Sequence, residues 1–177
     1  MTHAQLNASF NKMEAERNKL LDNLQTYDDA ILNKKPMPEA WSVIEILHHL
    51  IAAEEASVNY LKKKTQDLNG ATKVGLKEKF RSLLLNWYLS SPIKFKAPAV
   101  AAPTVTYATL KDTRNKWDTV RADLQETWIR LPEEKLNLNW YKHTAAGKLG
   151  LNQMLQFIST HVNRHTQQVG RTLKTVS

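Results

Sequence analysis

The 177-residue chain contains no cysteine. That excludes disulfides, thiolate metal ligands and a cysteine nucleophile together, so any metal would have to be held by nitrogen and oxygen. Glycine and proline are scarce, at five and six, and the apolar residues recur with helical rather than alternating spacing, which argues against a turn-rich β fold and for an all-α one. No uninterrupted apolar run approaches the ~18 residues that would cross a bilayer. The first residues, Met1 to Gln5, lack a basic patch followed by an apolar stretch. The expectation is a cytoplasmic protein without a membrane partner.

Acidic residues are outnumbered, 17 against 25 basic ones, for a net charge of +8. The lysines fall in short groups, such as Lys62 to Lys64 and Lys77 with Lys79, and no basic-aromatic stripe accompanies them. The surplus therefore reads as a solvated surface, with no nucleic-acid partner. The length suits one domain, residues 1–177, with a sizeable core.

Leu6, Phe10, Met13, Leu20, Leu24, Tyr27 and Ile31 recur every three or four residues, which predicts a first helix over 3–33. Pro36 and Pro38 stop it. Ser42 and Glu45 form an S-x-x-E capping box that opens a second helix, expected to reach about Lys64. A short helix is predicted over 74–89. The proline-punctuated segment 91–106 should lie extended over the surface, in an insertion spanning 65–106. Leu110, Trp117, Val120, Leu124 and Trp128 mark a third long helix over 109–131, ended by Pro132. A polar connection over 133–149 leads to a fourth at 150–175. Four long amphipathic helices fit a four-helix bundle, with connectivity left open by the long insertion.

In the last helix His161 and His165 are one turn apart, on the stripe formed by Leu151, Met154, Leu155, Ile158, Val162 and Val169. An H-x-x-x-H pair alone has little specificity. Its place on an apolar stripe gives it weight, because burying imidazoles without partners costs a few kcal/mol. A third imidazole comes from the second helix. His48 and His49 point about 100° apart, so one of them can join the pair, and His49 is favoured because it aligns with Ile46, Ala52, Ala53 and Ala56, small residues that leave room. His48 should flank the site or reach the surface, and Glu54 and Glu55 should face solvent or the pocket rim. His143, in a loop, and His3, at a frayed end, are poor ligands. Three neutral imidazoles with no fourth protein ligand suit zinc or nickel and leave positions for a water or thiol that the ion would activate. Arg164 is read as a surface residue, with an anion-binding role if it turns to the cavity mouth. Gln168, one turn beyond His165, is a candidate outer-shell contact. Glu45 is assigned to capping rather than to orienting His49.

The segments Pro38 to Leu50 and Gly147 to Leu151, followed by His161-Val-Asn-Arg-His-Thr-Gln-Gln168, resemble the DinB-like, or YfiT-like, family of metal-dependent enzymes. The resemblance implies an up-down-down-up four-helix bundle over nearly the whole chain, with a divalent metal on His49, His161 and His165. It further implies a small-molecule substrate, either a thiol-dependent transferase using a low-molecular-weight thiol or a hydrolase, and a homodimer. One departure is the loop before Gly147, which reads Lys-His-Thr-Ala-Ala where such proteins often carry a histidine-proline pair. The competing expectation is a binding or stress-related module in which the metal is structural or the histidines only hydrogen-bond one another.

Overall fold

A computed structural model describes residues 1–91, 105–106 and 108–177. The expected extended segment over 91–106 falls almost wholly outside the described residues. Among the described residues six α-helices and one short hairpin carry the fold: α1 (His3–Leu24), α2 (Asp29–Asn33), α3 (Val43–Lys64), α4 (Leu76–Ser90), α5 (Leu110–Ile129), the strands β1 (Tyr141–His143) and β2 (Gly147–Leu149), and α6 (Leu151–Val176).

The first helix is shorter than its apolar spacing predicts, and the reason is local. Gln25 bends its N–H toward the carbonyls of Leu21 and Asp22, and the Thr26 hydroxyl donates to the Asn23 carbonyl. Asp28 and Asp29 then follow, residue types whose side chains compete for backbone groups, and the Asp29 carboxylate accepts the Leu110 N–H at 2.7 Å, fastening α2 to the start of α5. His3 is not frayed. Thr2 and Gln5 close a reciprocal cap, and the His3 Nε2 lies 3.1 Å from the Trp128 carbonyl.

The α3 boundaries agree with the expected ones. The Ser42 hydroxyl accepts the Glu45 N–H while the Glu45 carboxylate accepts the Ser42 N–H at 2.8 Å. Burial alone would raise the Glu45 pKa, but the hydrogen bonds from Lys35 and Ser42 outweigh it and hold the carboxyl below its usual range.

The long helices α1, α3, α5 and α6 pack as a closed ring of neighbours, α1 on α6, α6 on α3, α3 on α5 and α5 on α1. Side-chain pairs give their directions. Ser9 meets Asn152 and Glu16 meets Ser159, so α1 and α6 run parallel. Lys116 meets Glu55 and Asp123 meets Lys62, so α3 and α5 also run parallel. Arg114 meets Asp22 and Trp128 meets Asn7, so the two pairs oppose each other. The apolar stripes fill the space between, and Trp117, Trp128 and Trp140 are fully buried. The polar connection after α5 folds back as an antiparallel hairpin, turned by Gly147 at a φ of +73°, which glycine tolerates without strain.

Candidate metal site

The helix pair α3 and α6 brings His49, His161 and His165 together. One nitrogen from each ring lies within 4.8 Å of the others, the one such group found among the described residues. The His161 and His165 Nε2 atoms are 3.1 Å apart. The His49 ring centroid is 5.3 Å from that of His161 and 4.9 Å from that of His165. Nitrogens bonded to one tetrahedral ion at 2.0–2.1 Å would sit roughly 3.3 Å apart, so the α6 pair is already near ligand spacing.

The surroundings favour neutral rings. Burial, followed by the neighbouring imidazoles and Arg164, holds His161 well below its ordinary pKa. Burial and His49 take His165 to about 4, against a smaller opposing effect from Gln168. Neutral imidazole is the form that binds metals. Gln168 Oε1 lies 2.9 Å from His165 Nδ1. An amide oxygen only accepts, so Nδ1 carries the proton and Nε2 turns its lone pair to the cluster, an orienting contact of the kind metal-binding histidines use.

Aromatic rings fix the imidazoles from the sides. Trp41 lies 5.0 Å from His49, and Phe157 stacks on His161 at 5.7 Å and 12°. Phe157 is one turn before His161, so helical spacing could have signalled it. Trp41 precedes the capping box, where no periodicity reaches. His143 also packs against Phe157, its centroid 4.5 Å away. It lies outside the three-histidine group, and its Nδ1 accepts the Ala145 and Ala146 N–H groups of the hairpin turn. The three candidate ligands are half-buried, Ala52 and Ala56 are exposed and Ala53 is half-buried. The row of small residues beside His49 therefore borders solvent rather than lining a closed chamber.

The structure places three neighbouring residues. Of the two positions expected for His48, the surface is excluded: it is buried next to His49 in α3, and its Nδ1 lies 3.4 Å from the Thr106 nitrogen, whose N–H it accepts. Arg164 is half-buried and tied to the chain rather than free at the surface, its Nη1 donating to the Leu89 and Ser91 carbonyls where α4 ends. Glu54 faces the core rather than solvent or a rim. It is 2% exposed, accepts the Trp117 indole N–H at 3.0 Å and pairs with Arg121 through both oxygens. Glu55 keeps to the outside, bonded to Lys116.

Among the described residues no helix is long and apolar enough to cross a membrane. A family model described as the DinB superfamily matches residues 12–169. The chain is 28% identical over 148 residues to the uncharacterized protein YuaE of Bacillus subtilis (strain 168), a match covering 84% of this chain and 86% of that one. No solved structure matches.

Proposed function

Because this chain belongs to the DinB superfamily, we propose that it is a metal-dependent enzyme acting on a small molecule, with His49, His161 and His165 holding a divalent ion. The observation that carries this reading is the convergence of three imidazoles from two helices, with the α6 pair 3.1 Å apart and no carboxylate beside them in that group. Three imidazole nitrogens within 4.8 Å of one another form a donor set that a single divalent cation can draw on together. The all-nitrogen donor set favours zinc or nickel.

When bound, such an ion supplies Lewis acidity, enough to lower the pKa of a water or a low-molecular-weight thiol at neutral pH. The chain's own residues do the rest. Gln168 fixes the His165 tautomer, Trp41 and Phe157 hold the other two rings, and three ligands leave coordination room for substrate. A thiol-dependent transferase and a hydrolase both need that open position. The half-buried ligands bordering solvent favour this over a purely structural ion, which would be closed off.

The test is a screen of zinc- and nickel-loaded protein for thiol transfer and for hydrolysis, beside His49→Ala and the chelator-stripped protein. Turnover that follows the metal and vanishes in His49→Ala is the expected result. If stripping the ion unfolds the bundle and no turnover accompanies reloading, the ion is structural and the enzymatic reading fails.

A further inference from the structure

The outward face of α4 is apolar along its whole length. Leu76, Phe80, Leu83, Leu84 and Trp87 recur at helical spacing and are between 48% and 84% exposed. Ser82 and Leu85, on the opposite face, are the residues that α4 buries against the bundle. Five such side chains at those exposures present on the order of 600 Å², at the top of what one patch on a monomer shows. Two copies of the patch, facing each other, would cover about 1,200 Å², enough for a stable interface.

We propose that this face is covered by the α4 of a second copy, the two helices packing antiparallel about a twofold axis between Leu83 and Leu84. An isologous contact requires the patch to complement itself, and the sequence does so in that register. Residues whose numbers sum to 167 come level, so Phe80 meets the partner copy's Trp87 and Leu83 meets its Leu84. The charges agree with the same register. Lys77, Glu78, Lys79 and Arg81 are all in the first half of α4, while 82–90 carries no charge. Antiparallel packing therefore sets each basic half against an uncharged one, at the carbonyl end of the partner's helix dipole, where cations are favoured. A parallel arrangement would stack the basic halves on each other.

This inference does not depend on the metal site, and its test can fail independently of that reading. Sedimentation velocity of the full chain should give twice the chain mass. Leu83→Glu, which places two carboxylates across the axis, should give a monomer over the concentrations where the wild type is dimeric, with helix content and melting temperature kept. The absence of native cysteine allows a second, geometric readout. Leu83→Cys should cross-link to its own copy under mild oxidation, whereas Ser90→Cys should not, since in this register the two Ser90 positions lie about 20 Å apart at 1.5 Å per residue. A monomeric wild type, a Leu83→Glu protein that stays dimeric, or cross-linking of Ser90→Cys in preference to Leu83→Cys would overturn the proposal.

Discussion

The Glu54–Arg121 cluster and the histidine cluster are built on opposite principles. Toward the middle of the bundle, Glu54 of α3 and Arg121 of α5 are 2% and 1% exposed and clasp each other through two hydrogen bonds, with Glu14 of α1 on the free side of the guanidinium and the Trp117 indole on the carboxylate. Burial disfavours the Arg121 charge, yet the two glutamates outweigh it and raise its pKa. This cluster is complementary in charge and needs nothing from outside. The histidine cluster joins three groups of the same kind, all pushed toward neutrality where a shift is resolved. The two clusters differ in kind: the charge-complementary one fastens α1, α3 and α5, and the three-histidine one is a group that could hold a cation.

The sharpest way to break this contrast is to remove one partner from each cluster. Glu54→Ala takes two of its three carboxylate hydrogen bonds from the buried Arg121 guanidinium, leaving Glu14 alone, and should cost roughly 3 kcal/mol of stability, read as a large fall in melting temperature, while whatever protein remains folded still takes up metal. Gln168→Ala should do the reverse. It frees the His165 ring to rotate, and metal titration should show affinity weaker by about 10–100-fold with the melting temperature of the metal-free protein almost unchanged. A smaller effect comes from acid. With His165 at about 4 when folded and at the ordinary 6.5 when unfolded, both states are neutral above pH 6.5 and the residue contributes no pH dependence there. Below that the unfolded chain binds a proton that the folded one excludes, so stability of the metal-free protein should fall as pH drops from 6.5 toward 4. His165 is half-buried, so its share of the slope should stay under the ~1.4 kcal/mol per pH unit that one full proton gives. Denaturant titrations from pH 8 to 4.5 should show the fall, and His165→Asn should lessen it while His161 and His143, lowered in the same direction, supply the remainder.

Both clusters left traces in the sequence, though unequal ones. His161 and His165 announce themselves because they share one helix face, and the rows of apolar residues say which face that is. The angle between His48 and His49 said that one of them could join the pair, and the alignment of His49 with Ile46, Ala52, Ala53 and Ala56 chose it. Glu54 was misread because it stands next to Glu55 and charge suggests solvent. Its position still carried a signal: it falls three residues after Ile51 and four before Val58, both buried. Arg121, four after Trp117 and three before Leu124, sits likewise in the α5 stripe. Neither position discloses that the other residue is its partner 67 residues away, since that pairing depends on α3 and α5 running parallel. The hairpin from 141 to 149 was hidden for another reason, because strands of three residues are too short for alternation to register. Capping, by contrast, is settled within four residues, and the α3 start was readable in full.

The central claim is that the three imidazoles form a metal site, and metal content tests it most directly. Tag-free protein should be measured by plasma mass spectrometry, wild type beside His49→Ala, His161→Ala and His165→Ala, before and after incubation with zinc and nickel. The account predicts close to one ion per chain in the wild type and its loss in each variant, with the helical spectrum intact. A wild type that takes up no ion even at excess metal, or variants that bind as well as it does, would contradict the account and leave the histidines as a hydrogen-bonded cluster in a helical bundle.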